Sequence, residues 1–192
     1  MFCEKPLGKS FEEASALADA ADKAGVMTMA GYNYAKTPAT QFVREMLANG
    51  EIGDITYLRC EHTEDFHANP EAEWWWRSDG RHNGTLNELS CHIINAALAL
   101  GGPVASLVAD IQTVHKERPS PDGMKPVTND DHVQFIFRYA SGALGHLYSS
   151  RIATGRKMGY IYEIFGTKGA VRFNQEDQNS VWIYKGGQVP RT

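Results

Sequence analysis

The sequence predicts an α+β fold: a largely antiparallel open sheet with helices on one face, preceded by a terminal βαβ unit. Three observations support this prediction. A strand, a helix and a strand follow one another at the start, helix signals continue to about residue 100, and short alternating segments with glycine turns fill the rest. Helices followed by a run of strands are typical of α+β domains.

The start of the chain predicts the strand–helix–strand unit. Ser10 and Glu13 form a capping box, since the Ser10 hydroxyl can accept from the Glu13 amide while the Glu13 carboxylate reaches back. An alanine-rich helix follows, and Gly25 is placed to end it. Residues 26–31 then predict a short buried strand that lies parallel to the first.

A polar joint over residues 32–38 predicts a domain boundary between residues 33 and 34. Pro38 begins a second helix that ends near Asn49 and Gly50, which is the usual proline-first, glycine-last order. Residues 55–64 alternate apolar and polar side chains and predict a strand.

The remaining residues predict one more helix and the sheet. The segment 69–83, with three consecutive tryptophans, is predicted as a loop, and a third helix covers about 85–100. Strands are predicted at 105–115, 132–140, 143–151, 160–165, 170–174 and 181–184. Glycine turns at 141–142 and 166–169 predict hairpins, so the sheet is largely antiparallel, and the proline-rich segment 117–129 is the one long loop.

Composition excludes several classes of partner. The 192 residues are 42% hydrophobic and 22% charged with a net charge of −4, which is ordinary for a globular protein. The charge offers no basic field for nucleic acid, and no apolar run approaches transmembrane length. Three scattered cysteines without a CxxC pair favour free thiols in a reducing compartment. We therefore expect a cytoplasmic protein with no nucleic-acid or membrane partner.

The tripeptide Glu4-Lys5-Pro6 is the first candidate functional motif. Pro6 fixes its own φ and restricts Lys5 to extended geometry, so the ammonium is held in one direction. The bond before Pro6 can also be cis, which tightens such a turn. The alternative is that Glu4 and Lys5 are ordinary exposed charges before a helix.

The third helix carries the second candidate. At about 100° per residue, Glu88, His92 and Asn95 fall on one face, opposite an apolar face. A glutamate four residues before a histidine can touch it and would raise the pKa of His92, an arrangement suited to general acid–base chemistry. The alternatives are a solvent-facing polar stripe and a zinc site. The zinc site has no clear third ligand, so no metal is predicted.

Several motifs then occur in a consistent order along nearly the whole chain. They are Glu4-Lys5-Pro6, Gly31-Tyr32-Asn33-Tyr34 with Pro38, residues 49–54, Trp76-Arg77, residues 84–92 and residues 164–170. Together they resemble the glucose–fructose oxidoreductase/inositol dehydrogenase (Gfo/Idh/MocA) family of NAD(P)-dependent sugar and polyol dehydrogenases.

The resemblance implies roles for particular residues. Lys5 would lie near the nicotinamide and the reacting hydroxyl, with Glu4, Lys5 and Pro6 contacting the cofactor. His92 matches the catalytic histidine, and Glu88 stands where the family usually has aspartate, so its carboxylate reaches one methylene further. The catalytic set is thus Lys5, Glu88 and His92. The substrate-binding set is Lys5, Tyr34, Trp76, Arg77, Glu88, Asn95 and Arg151.

Other residues leave alternatives open. Arg151 could bind a hydroxyl or an anion, or could be an exposed loop cation. Cys60, His62 and Glu64 share one strand face with His67 nearby, a coincidence more often than a metal cluster. The tryptophans at 74–76 could form a wall for a sugar ring or pack in the core.

A GxGxxG motif after a strand is absent from the sequence. In the family, the dinucleotide-binding half precedes the Glu-Lys-Pro motif. We therefore expect residues 1–33 to be the remnant of an NAD(P)-binding Rossmann domain. Residues 34–192 would be a substrate and oligomerisation domain, truncated near Gly186-Gly187-Gln188.

The expected function is the substrate-binding part of an oxidoreductase that acts on a CH–OH group of a sugar or polyol. NAD or NADP would be bound by the full-length protein, and this fragment alone would be inactive. The alternative is a non-catalytic sugar-binding or oligomerisation module of the same fold. The resemblance also implies a homo-oligomer through the sheet face.

Overall fold

The structure is a computed structural model that describes residues 1–80 and 84–187. It begins with β1 (Phe2–Cys3), α1 (Phe11–Ala24) and β2 (Met29–Ala30), and β1 pairs with β2 in parallel. The Ser10 hydroxyl accepts from the Glu13 amide at 3.3 Å, and Gly25 ends α1 with φ of 63°. These contacts confirm the predicted helix ends and the strand–helix–strand order.

The second strand of this unit differs from the prediction. It covers two residues rather than 26–31, and it is not buried, since its Met29 is 60% exposed. The physical reason is that, in the described chain, β1 is the one strand paired with β2, and a two-stranded sheet offers little area for burial. The apolar side chains at 26–31 predicted a strand, but they gave no information on whether other elements pack against it.

The main domain starts with a 3₁₀ turn (Asn33–Lys36) and α2 (Pro38–Ala48), followed by β3 (Ile55–Thr63). A 3₁₀ turn (Trp76–Ser78), a π-helical turn (Leu86–Ser90) and α3 (Cys91–Gly101) come next. The sequence therefore predicted one helix where the structure has a π turn joined to an α-helix. The predicted loop extends to Asn83, and residues 81–83 lie outside the described residues.

The remaining strands complete the fold. They are β4 (Val104–Gln112), β5 (Glu117–Ser120), β6 (Gly123–Pro126), β7 (His132–Tyr139), β8 (Leu144–Ser150), β9 (Gly159–Gly166), β10 (Gly169–Asn174) and β11 (Val181–Lys185), with a 3₁₀ turn (Gln175–Asp177) before β11. The segment predicted as one long loop thus contains the β5–β6 hairpin. Pro119 and Pro126 occupy ladder positions of this two-stranded ribbon, where an unpaired edge tolerates them, and Pro121 lies in the turn between the strands.

The described residues form a seven-stranded sheet in the order β11-β10-β9-β3-β8-β7-β4. Every neighbouring pair is antiparallel except β3 and β8, which are parallel. Helices α2 and α3 pack on one face, where Val43, Met46 and Ile93 are buried against the sheet residues Leu58 and Ile164. The predicted α+β class with helices on one face is confirmed.

The opposite face of the sheet carries no helix among the described residues. Its apolar side chains include Ile136, Phe165 and Trp182, all of them exposed. In the part of the chain that the structure describes, no helix is long and apolar enough to cross a membrane.

Candidate active site

A cavity of about 500 Å³ lies where the N-terminal unit meets the main domain. Five predicted site residues line it: Lys5, Tyr34, Arg77, Glu88 and His92. Five residues outside the predicted catalytic and substrate-binding sets also line it: His62, Glu64, Phe66, Trp75 and Leu89. Of the residues predicted to contact substrate, Trp76, Asn95 and Arg151 are not among its lining residues.

Lys5 connects the two parts of the chain. It follows the carboxyl end of β1, the edge at which parallel α/β sheets bind their ligands. The Lys5–Pro6 bond is cis, and the Lys5 ammonium donates to the backbone carbonyl of Glu88 at 2.8 Å. Because an ammonium has three donors, this bond leaves others for a ligand in the cavity.

Glu4 and Pro6, the other two residues predicted to bind cofactor, are exposed beside this cavity. The Glu4 carboxylate lies over Gly31, where an added Cβ would be 2.7 Å from Oε2. Glycine at position 31 therefore makes room for the Glu4 side chain at the end of β2.

The π turn controls the directions of the side chains that follow it. A π turn has wider spacing than an α-helix and is frequent at functional sites. The uniform 100° per residue used for the sequence prediction does not hold from Glu88 to His92, because the π turn ends between them. Both residues still line the cavity, whereas Asn95, further along α3, does not.

Glu88 forms an ion pair with Arg77 rather than with His92. Its Oε1 lies 3.2 Å from Arg77 Nε, and its Oε2 is buried without a hydrogen-bond partner among the described residues. Burial raises the pKa of Glu88, and the nearby Arg77 opposes this effect. The unpartnered Oε2 is therefore available to accept from a ligand hydroxyl.

His92 is buried and uncharged. Burial, followed by the Lys5 charge and then His62, lowers the pKa of His92 to about 3. The sequence predicted the opposite direction, through Glu88, and that prediction was wrong because Glu88 is turned to Arg77 and burial dominates. The Nδ1 atom of His92 is buried with no protein partner in the described chain. A neutral imidazole can accept a proton.

His62 is the functional candidate that sequence reasoning missed. Its Nδ1 lies 3.2 Å from the Leu89 carbonyl oxygen and its Nε2 lies 3.2 Å from Glu64 Oε1. Its ring centre is 5.5 Å from that of His92. Strand alternation did place His62 and Glu64 together, but the sequence did not reveal that this face meets α3. Within the described ranges, no three metal-ligating side chains form a cluster.

Tyr34 is the predicted residue that packs most closely against the histidines. Its ring stacks on Tyr160 with centres 4.4 Å apart, and it meets the edges of His62 and His92 at 5.7 and 4.8 Å. Burial raises the pKa of Tyr34, so its hydroxyl stays protonated. Tyr34 therefore forms an apolar side of the cavity.

Of the three tryptophans at 74–76, Trp75 lines the cavity, whereas Trp76, which was placed in the substrate-binding set, does not. The Arg77 guanidinium lies over both rings, 5.3 Å from the centre of Trp75 and 4.9 Å from that of Trp76. Trp75 lines the cavity, and its indole N–H donates to His67 Nε2 at 2.7 Å. The planes of the Trp75 and Trp76 rings lie at 64° to each other where the 3₁₀ turn begins.

Arg151 is a structural residue, which corrects both readings of it as a ligand-binding or exposed cation. Its side chain is fully buried, its Nε lies 2.9 Å from Asp131 Oδ1, and it donates to Asn129 Oδ1 at 2.6 Å. It also donates to the backbone carbonyl of Arg77 at 3.0 Å. Arg151 thus supports the segment that carries Arg77 from behind the cavity.

The fold and the cavity together define a class of protein. It has a domain with a largely antiparallel sheet, and a parallel βαβ unit brings a lysine to the face of that sheet on which the helices pack. Within this class, the model of the GFO/IDH/MocA C-terminal domain matches residues 40–172. The chain belongs to the GFO/IDH/MocA family, as the ordered motifs predicted.

Relatives of known name agree with this assignment. Levoglucosan dehydrogenase from Pseudarthrobacter phenanthrenivorans is 31% identical over 199 residues, which cover 95% of this chain and 51% of the relative. A structure of levoglucosan dehydrogenase in complex with NADH and L-sorbose superposes with a TM-score of 0.93 at 32% identity, covering 99% of this chain and 52% of that one. An NAD binding oxidoreductase from Klebsiella pneumoniae gives 0.93 at 34% identity, covering 98% and 51%.

The chain spans about half the length of these relatives. Family members use NAD(P), and related structures hold NADH, so the predicted cofactor class is confirmed for the family.

Proposed function

We propose that this chain is the substrate-binding part of an NAD(P)-dependent dehydrogenase that oxidises a CH–OH group of a sugar or polyol. The observation that supports this most directly is the Lys5–Glu88 hydrogen bond, which brings the lysine of the N-terminal unit to the cavity that also holds His92. The relatives are named for levoglucosan, glucose 6-phosphate and scyllo-inositol, which are small hydroxylated rings.

In the proposed reaction, neutral His92 accepts the hydroxyl proton of the substrate. A bound nicotinamide would supply the acceptor for the hydride that leaves the same carbon as this carbon becomes a carbonyl. The Lys5 ammonium stabilises the negative charge that develops on the substrate oxygen. Glu88, held by Arg77, accepts from a second hydroxyl through its unpartnered Oε2 and so orients the ring.

The cofactor would approach from the carboxyl end of β1 and β2. Lys5 lies there at the end of a parallel strand pair, and the Glu4 carboxylate is packed over Gly31 at the end of the other strand. These features fit a nucleotide on this edge. We propose that residues 1–33 belong to a nucleotide-binding domain and residues 34–192 to a substrate domain. The turn at Asn33–Lys36 supports a boundary at this place.

The test uses an enzyme completed with a dinucleotide-binding half, assayed with levoglucosan, myo-inositol and glucose 6-phosphate. His92→Ala should lower kcat by about 10²- to 10⁴-fold, as expected for loss of a general base. Leu98→Ala is the matched control, because Leu98 is an exposed residue of the same helix that does not line the cavity. A loss below about threefold in His92→Ala would contradict the catalytic assignment.

The rival proposal, a non-catalytic sugar-binding module, predicts binding without turnover in that completed enzyme. We also propose that the 192 residues alone lack activity, because their described parallel sheet has two short strands. Steady turnover by the chain alone would contradict this.

We further propose a cytoplasmic homo-oligomer that assembles through the open sheet face. Exposed Ile136, Phe165 and Trp182 on that face support it, as do three free cysteines for the compartment. Sedimentation equilibrium of Trp182→Lys should show weaker self-association than the parent chain, and an unchanged oligomer would exclude this face.

A further inference from the structure

His67 has an unfavourable setting for a buried histidine. Its side chain is 3% exposed, and its Nε2 accepts from the Trp75 indole, so the proton of the neutral ring is on Nδ1. That Nδ1 is buried and has no partner among the described residues. A buried N–H without a partner costs stability, so a residue chosen for stability alone would not be histidine here.

Burial and the nearby charges keep the His67 ring neutral. The environment lowers the pKa of His67 to about 3, chiefly through burial and then through the cations Arg151 and Arg118. His67 is therefore neutral, and Nε2 stays free to accept. The backbone is held separately: the His67 amide donates to the Arg151 carbonyl at 3.0 Å, and its carbonyl accepts from Arg118 at 2.6 Å. A change of side chain would leave these anchors in place.

What the imidazole supplies in return is a fixed position for Trp75. The indole N–H to Nε2 distance is 2.7 Å and the ring centres are 5.6 Å apart. Trp75 is 40% exposed and lines the cavity, and its ring also contacts Arg77 and Trp76. The hydrogen bond to His67 is the contact that fixes the direction of the indole N–H. His67 thus lowers the stability of the fold, and in the same place it orders an aromatic surface at the cavity.

We propose that His67 is a positioning residue for specificity, which holds the Trp75 indole as the wall against which the apolar face of a sugar or polyol ring packs. This inference rests on the proposed function. Aromatic faces suit the C–H side of a saturated ring, and a wall ordered before binding avoids an entropic loss at binding. His67 itself touches no substrate.

The test compares His67→Leu with His67→Gln, whose amide can keep an acceptor near the Nε2 position, and with His146→Leu, a partly buried histidine outside the cavity. Hydrogen exchange of the Trp75 indole, read by NMR, should be slow in the parent and His67→Gln and fast in His67→Leu. Levoglucosan binding should weaken by about 3- to 10-fold in His67→Leu. In the completed enzyme this loss should appear in KM with kcat unchanged.

The stability of His67→Leu toward urea should change in the opposite direction from its affinity for sugar. Because the orphaned Nδ1 is removed, His67→Leu should unfold at an equal or higher urea concentration than the parent while binding sugar more weakly. Equal indole exchange, or equal levoglucosan affinity, in His67→Leu and the parent would overturn the proposal. If the parent binds no levoglucosan, myo-inositol or glucose 6-phosphate, the proposed function fails and the sugar wall fails with it. If the parent binds and His67→Leu binds equally well, the inference alone fails.

Discussion

Arg151→Leu should destabilise the protein although it removes no residue that lines the cavity. The Arg151 and Asp131 side chains are both fully buried, with Nε and Oδ1 2.9 Å apart. Removing one partner of a buried pair leaves an unpaired charge and typically costs about 3–5 kcal/mol. Asp131 Oδ2 keeps two backbone donors, Val114 N at 2.8 Å and His115 N at 3.0 Å. We therefore expect the lower end, about 3 kcal/mol.

Urea unfolding followed by circular dichroism measures this cost, provided that the slope m is unchanged between variants. Arg156→Leu is the matched control, because Arg156 is 45% exposed in its ion pair with Glu176. Exposed pairs contribute about 1 kcal/mol or less. Equal midpoints for Arg151→Leu and Arg156→Leu would refute the reasoning, and would return Arg151 to the list of candidate ligand-binding residues.

Two further predictions concern stability. The pKa values of His67 and His92 are both lowered to about 3, so below about pH 6.5 the unfolded chain binds protons that the folded chain does not, and stability falls as pH falls. Each histidine contributes at most about 1.4 kcal/mol of unfolding free energy per pH unit. The double variant with glutamine at both positions should show a smaller fall in urea midpoint between pH 7 and 4.5 than the parent. An equal fall in the two proteins would contradict this. Gly101→Ala should cost about 1–3 kcal/mol, because the new Cβ would overlap the buried Tyr139 ring, whereas Ala99→Ser on the exposed side should be nearly neutral in the same urea assay.

Local signals predicted most of the fold. The Ser10 and Gly25 caps, Pro38 at a helix start and the glycine turns act through nearest neighbours, and their elements are found within a few residues of the predicted ends. The β5–β6 hairpin was missed because its strands are short and rich in proline and charge, so periodicity gave no signal.

The site was predicted less completely because it depends on contacts between distant segments. Five of the residues that the motifs selected line one cavity: Lys5, Tyr34, Arg77, Glu88 and His92. The direction of the His92 pKa was not predictable, since it follows from burial between elements. His62 was visible in strand alternation, but its importance depends on where α3 packs.

The parallel pairing of β3 with β8 has a consequence for how the chain is made. β3 occupies the middle of the seven-stranded sheet, between β9 and β8, and Tyr57 is aligned with Leu144 on one side and Phe165 on the other. During synthesis, one edge of β3 therefore stays unpaired until β8, which ends at Ser150, has left the ribosome, and the other until β9, which ends at Gly166, has done so. Contacts between such distant segments slow folding, and an open strand edge is a template for aggregation. The cavity lined by His62 and Glu64, which lie at and just after the end of β3, is thus among the last features of the molecule to form.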